Sequence, residues 1–239
     1  MVSDLFVQMD EYCERVDPSF WAEPVNAVTN FLIIFAGIAG LRLYSKQFPL
    51  HGSKHRPNVL MLIGLVVATG LGSFLYHTTA TVWAGYADML PIAGFIYLYH
   101  LVFLRRALAM PYKFILLYLL AFFGLSAALV NIAGRDALNG SISYIPALVS
   151  FYTVWVAMLA LRRPGARVFG ITALLFCAAI FFRTIDIAVC EAFPLGTHFL
   201  WHTLNACVLY LLLKLVIQLP DFYQRHRRDG FDPRSPIFR

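Results

Sequence analysis

Two histidines four residues apart, His198 and His202, stand at the head of the last apolar run of this 239-residue chain. On a helix, positions i and i+4 share one face about a turn apart, so both imidazoles point the same way, as two ligands of one metal ion require. A pair of core or capping histidines would look the same, and the spacing alone does not separate the two readings. Far upstream lie Ser73 and His77, one helical turn from each other, and then Asp88, eleven residues after His77. Three imidazoles with an open fourth position are the ligand set of a catalytic zinc, whereas a closed structural site wants a fourth protein ligand. Such an ion polarises a carbonyl and acidifies water, and a neighbouring carboxylate can relay the proton. Whether His77, Asp88 and Ser73 meet His198 and His202 depends on the elements that carry them.

Of the residues, 60% are hydrophobic and 13% charged, about half the charged share usual in a soluble domain. The apolar residues come in runs near twenty long rather than in amphipathic stripes, which defines a multi-pass helical membrane protein. Spans are expected at about 24–44, 57–77, 86–104, 113–133, 142–161, 168–188 and 197–219. The expected fold is therefore all-α: one seven-span bundle domain over residues 1–239, with an acidic segment at 1–23 and a basic tail at 220–239. The first residues carry acids and no basic n-region, so no cleavable signal peptide is expected. The net charge of +6 comes from residues flanking the spans, which reads as topology rather than as a nucleic-acid surface.

All lysines and arginines except Arg15, Arg135 and Arg183 lie on the side reached after spans one, three, five and seven. The positive-inside rule then puts the amino terminus outside and the tail in the cytoplasm. Span two ends outward at His77, span three starts near Asp88, and span seven starts at His198. These groups share one outer layer, with Ser73 and His202 a turn deeper. Ionisable groups inside a membrane are costly unless paired and mark functional sites. His51, His55, His100 and His226 fall on the basic side and read as solvent-facing or interfacial. Asp88 is the expected general base, the alternative being a carboxylate that orients a ligand histidine. Ser73 is the expected oxyanion donor, the alternative being a serine bonded back to its own helix. Arg183 and Asp186, three residues apart, are expected as a structural ion pair, with Asp186 or Asn205 as alternative supports of the metal. Cys177 and Cys207 fall within spans and are expected to stay reduced.

The set Gly72-Ser73-x3-His77, Asp88 and His198-x3-His202 resembles the alkaline ceramidase family, part of a superfamily of seven-span hydrolases that includes adiponectin-receptor-like proteins. The likeness covers nearly the whole chain. Glu11-Tyr12-Cys13-Glu14 and Trp21-Ala22-Glu23-Pro24-x-Asn26-x3-Asn30 are similar to the ceramidase branch in particular. The resemblance implies zinc-dependent hydrolysis of the amide of ceramide, or a related N-acyl lipid, to a sphingoid base and a fatty acid. It also implies calcium on the acidic segment, held by some of Glu11, Glu14, Asp17 and Glu23 with the Tyr12 carbonyl, since hard oxygens in an acidic loop suit Ca2+. Here Glu11 stands where an Asp is usual, Tyr12 where a Trp is usual, and Asp17 replaces an Asn. The expected partner is a membrane lipid whose chains stay between the spans while its amide reaches the extracytoplasmic interface; no nucleic-acid partner is expected. Two other readings stay open: a receptor or ion carrier sensing metal or protons through the outer His/Asp cluster, and a zinc hydrolase of another acyl lipid. Lys214 lies toward the cytoplasmic end of span seven, so no retinal-linking lysine sits in mid-membrane.

Topology also puts Cys13 and Cys190 on the outer side, where an oxidising compartment would let them bridge. Such a bridge would close a loop worth about 5 kcal/mol by chain-entropy arithmetic and would tether the acidic segment beside His198. Two unrelated thiols are the alternative.

Overall fold

Proline marks where the chain enters several of its helices. Pro24 opens α1 (Pro24–Gln47), Pro57 opens α2 (Pro57–Thr79), and Pro146 sits in the first turn of α5 (Ile145–Ala160). A first-turn proline gives up an N–H that has no helical partner anyway, and its fixed φ suits the helix. The remaining long helices are α3 (Val82–Ala107), α4 (Tyr112–Ala133), α6 (Ala166–Ile185) and α7 (His198–Gln218). The computed structural model describes residues 3–48 and 56–220. His51, Lys54, His55 and the tail from 221 on, with His226, lie outside the described residues.

All seven expected spans are present as helices long and apolar enough to cross a membrane, α5 counting its preceding 3-10 turn Ser141–Tyr144. Among the described residues the extended pairing is one isolated bridge, Gln8 to Thr81. Two boundaries differ from expectation for local reasons. The stretch expected as a loop at 78–85 is a tight turn: Ala80 adopts the left-handed conformation (φ 43°), so α3 begins at Val82, four residues early. Asp88 therefore lies nearly two turns inside α3 rather than at its start. Helix α6 ends at Ile185, and Ile187–Val189 forms a separate 3-10 turn.

Helix α1 packs between α2 and α7, α2 packs on α3, and α6 packs on α7. Helix α4 lies at the edge against α3 and α5; it buries Ile115 fully, packs Tyr118, Leu119 and Phe122 half-buried against the core, and turns most of its other apolar side chains outward. In lipid, helices gain nothing from burying apolar surface against each other, so close packing decides where they touch. The tightest approach is at Gly72, where a Cβ would sit 2.1 Å from the carbonyl oxygen of Ala87. Pro91, inside α3, removes the N–H that this carbonyl would otherwise accept. One turn of α2 thus lies directly on the turn of α3 that carries Asp88.

Candidate metal centre

His77 comes from the last turn of α2, and His198 and His202 from the first turns of α7. Each is at most 2% exposed. Their candidate ligand atoms all lie within 4.8 Å of one another, and among the described residues no other group of three or more His, Cys, Asp or Glu converges in this way. Ring centroids are 5.1 Å apart for His77 and His198, 4.7 Å for His77 and His202, and 4.6 Å for His198 and His202. The expectation drawn from depth and spacing is met in space.

The hydrogen bonds around the rings decide which nitrogens face inward. Thr29 Oγ1 donates to the Val25 or Asn26 carbonyl of its own helix. Its contact of 3.0 Å with His202 Nδ1 must then be accepted from that nitrogen, since a hydroxyl has one hydrogen. That leaves the Nε2 lone pair of His202 pointing inward, and this atom is buried with no hydrogen-bond partner. His77 Nδ1 lies 2.6 Å from Glu23 Oε2, so a carboxylate holds that proton and frees Nε2. His198 Nδ1 is likewise buried without a partner. Orphaned polar atoms at this depth are costly, and three converging imidazoles, each with a nitrogen to offer, are what a zinc-type ion requires. The donor set fits the metal.

Asp88 stands near this centre, with the Ser73 hydroxyl as its side-chain hydrogen-bonding neighbour. Its Oδ1 is buried with no partner. Ser73, Asp88 and His202 share the wall of one largely apolar cavity. Apolar side chains from α3, α5, α6 and α7, among them Phe95, Phe151, Phe176 and Leu212, complete that wall.

The site's supports come from residues that sequence reasoning placed elsewhere or passed over. The Tyr12 ring stacks on His198 with centroids 3.8 Å apart, and burial pushes its phenol well above the ordinary value, so it stays neutral. Asp186 and Arg183 do not form the expected ion pair. Asp186 instead accepts the backbone N–H of Thr197 at 2.6 Å and of His198 at 2.9 Å through Oδ1, and that of Cys13 at 3.0 Å through Oδ2. It thereby satisfies orphan donors at the start of α7. Arg183 reaches Asn139 O, Ser141 Oγ and the Tyr12 hydroxyl. Asn205 donates to Trp201 O and lines the cavity. His100 is buried rather than interfacial, with Nδ1 on Ile96 O and Nε2 on Ser150 Oγ. The Cys13–Cys190 disulfide is present, with a Cα–Cα distance of 5.4 Å, and Cys177 and Cys207 are free.

Each expected calcium ligand has a protein partner of its own. Glu11 accepts from the Tyr76 hydroxyl, and the Tyr12 carbonyl accepts the Arg15 amide. Glu14 spans the amides of Val25 and Asn26 at 2.7 and 2.8 Å; burial raises its carboxyl and those amides oppose the rise. Asp17 closes a short turn onto the Ser19 amide. Glu23 has both oxygens engaged, Oε1 on Arg15 Nε and Oε2 on His77 and Asn26. Burial would raise Glu23, but the bonds and charges of His77 and Arg15 overcome this and hold it below the ordinary carboxylate value.

Together the bundle and its centre define a multi-pass membrane protein with a buried three-histidine cluster. A family model described as Ceramidase matches residues 10–232. The chain belongs to that family and is a hydrolase acting on the amide bond of ceramide, which sets aside the receptor or ion-carrier reading. A comparison with curated proteins finds no match.

Proposed function

We propose that this chain hydrolyses ceramide, or a close N-acyl relative, to a free sphingoid base and a fatty acid, at a zinc ion held by His77, His198 and His202. The observation that carries the reading is the set of partnerless buried atoms, His198 Nδ1, His202 Nε2 and Asp88 Oδ1, with His202 and Asp88 on the wall of an apolar cavity. Bound zinc supplies Lewis acidity, polarising the amide carbonyl and lowering the pKa of water.

The remaining chemistry falls to side chains. Asp88 Oδ1, with a free lone pair, takes the proton of the attacking water and returns it to the leaving amine, the step that lets the C–N bond break. Ser73, whose one hydroxyl hydrogen faces Asp88 in the resting site, turns it to the carbonyl oxygen as that oxygen gains negative charge. Glu23 and Thr29 hold the protons of His77 and His202 on Nδ1 and so keep both rings in register. The cavity takes a hydrocarbon chain, and the roof of Tyr12 shields the centre from bulk water. The lysine and arginine distribution supports placing this end of the bundle on the extracytoplasmic side.

Purified enzyme incubated with a panel of ceramides and other acyl lipids, before and after metal removal, tests the proposal. Release of sphingoid base that chelation abolishes and zinc restores is expected. Preferential turnover of a different acyl lipid would overturn the substrate. Asp88→Asn should keep its zinc by elemental analysis yet lose most turnover, and Ser73→Ala should lose about 10²–10³-fold. Full zinc stoichiometry in His202→Ala would overturn the ligand set.

A further inference from the structure

The acidic segment before α1 surrounds a cation, and that cation belongs to the chain. Arg15 is the sole lysine or arginine among residues 1–23, and it is buried. Its Nε donates to Glu23 Oε1 at 2.6 Å, its Nη1 to the carbonyls of Asp17 and Ser19 at 3.1 and 3.4 Å, and its Nη2 to the carbonyl of His77 at 3.1 Å. One carboxylate and three carbonyls are the hard oxygen donors expected of a calcium site, arranged here around a planar fork. Two of the five expected calcium ligands, Glu23 by its side chain and Asp17 by its carbonyl, thus hold a guanidinium. Calcium needs six to eight oxygens around one point. Here the oxygens stand at hydrogen-bonding distance from separate nitrogens. A divalent ion would have to enter beside a buried positive charge that Glu23 already neutralises, which is unfavourable at short range.

We infer that Arg15 replaces calcium as the organising cation of this segment, so that the enzyme is independent of calcium. The consequence runs to the metal centre. The His77 carbonyl is one of the orphan acceptors at the end of α2, and Arg15 satisfies it. The same guanidinium fixes Glu23, whose other oxygen holds the His77 ring. His77 is therefore gripped at its backbone and at its side chain by one ion pair. Arg15 acts through Glu23 and is a positioning residue.

The test uses the full-length protein in detergent, freed of divalent ions other than its tightly held metal by passage over resin, with no soluble chelator present. Wild type should show no saturable rise in thermal midpoint on adding calcium and should retain well under one calcium per chain after dialysis. A saturable rise with one bound calcium would overturn the inference. Arg15→Ala should lower the midpoint and weaken zinc retention about 10–100-fold in competition with a chromophoric chelator. Millimolar guanidinium should restore part of both in the variant and neither in wild type. Zinc retention that is unchanged in Arg15→Ala would sever the link to His77. Should Arg15→Ala not fold, Arg15→Lys keeps the charge but loses the fork. It should show the same weakened zinc retention in milder form, and an unchanged value there would also count against the link. None of these readouts needs a substrate, so they stand apart from the assignment of ceramide.

Discussion

A neutral imidazole offers a metal one nitrogen and keeps its proton on the other, so whatever accepts that proton decides which nitrogen is available. For His202 the acceptor is Thr29, whose own hydrogen is committed to its helix. Thr29→Val keeps the shape and removes the acceptor. It should weaken metal binding about 10–100-fold, and Thr29→Ser should restore it; chelator competition measures both. A Thr29→Val enzyme that holds its metal as tightly as wild type would count against the assignment. The convergence of His77, His198 and His202 was legible in the sequence because spacing and depth suffice to align them. Their partners were not. His77 and Glu23 are separated by 54 residues, and Glu23 belongs to a segment with no periodicity from which to read a direction. An acidic stretch before a span looks like a calcium loop until Arg15, the lone cation within it, is seen to turn inward.

At the scale of elements, the proposed catalytic pair, Ser73 and Asp88, depends on how closely α2 and α3 approach. The atom that a Cβ at position 72 would meet is backbone, the Ala87 carbonyl oxygen at 2.1 Å, so no side chain can rotate away and the helices must part. Overpacking of this kind costs about 1–3 kcal/mol. Gly72→Ala should therefore lower the thermal midpoint and most of the turnover while zinc stays, because the ligands sit on α2 and α7 and only Asp88 sits on α3. Gly64→Ala is the control, since a Cβ there meets nothing within 4 Å; it should be neutral or slightly stabilising. Equal losses in the two variants would remove the close approach as the cause. The spans could be read from apolar length alone. Their ends at Ala80 and Ile185 depend on backbone turns that residue type hardly signals, since alanine is an unusual occupant of the left-handed region.

For the molecule as a whole, the cavity should set which lipid chains fit. Val208 lines it six residues beyond His202, about 9 Å deeper along α7. Val208→Trp should shift the ratio of kcat/KM toward short-chain ceramides, and an unchanged ratio would place the chain elsewhere. The seven-span plan and the Cys13–Cys190 bridge were both legible from charge and topology, because those signals act over the whole chain. The cavity was not, since it is the space left by seven helices together and no single stretch encodes it. The bridge also has a bearing on how the protein is made. Its cysteines are 177 residues apart, and ribosomes deliver the first long before the second. While α1 to α6 insert, Cys13 waits as a free thiol, with His77 already in place and His198 and His202 not yet synthesised. On the proposed ligand set, metal capture would then be the closing act of biogenesis rather than its nucleus. A nascent chain halted before α7 should be alkylated at Cys13 and hold no metal, whereas the released chain should resist alkylation there.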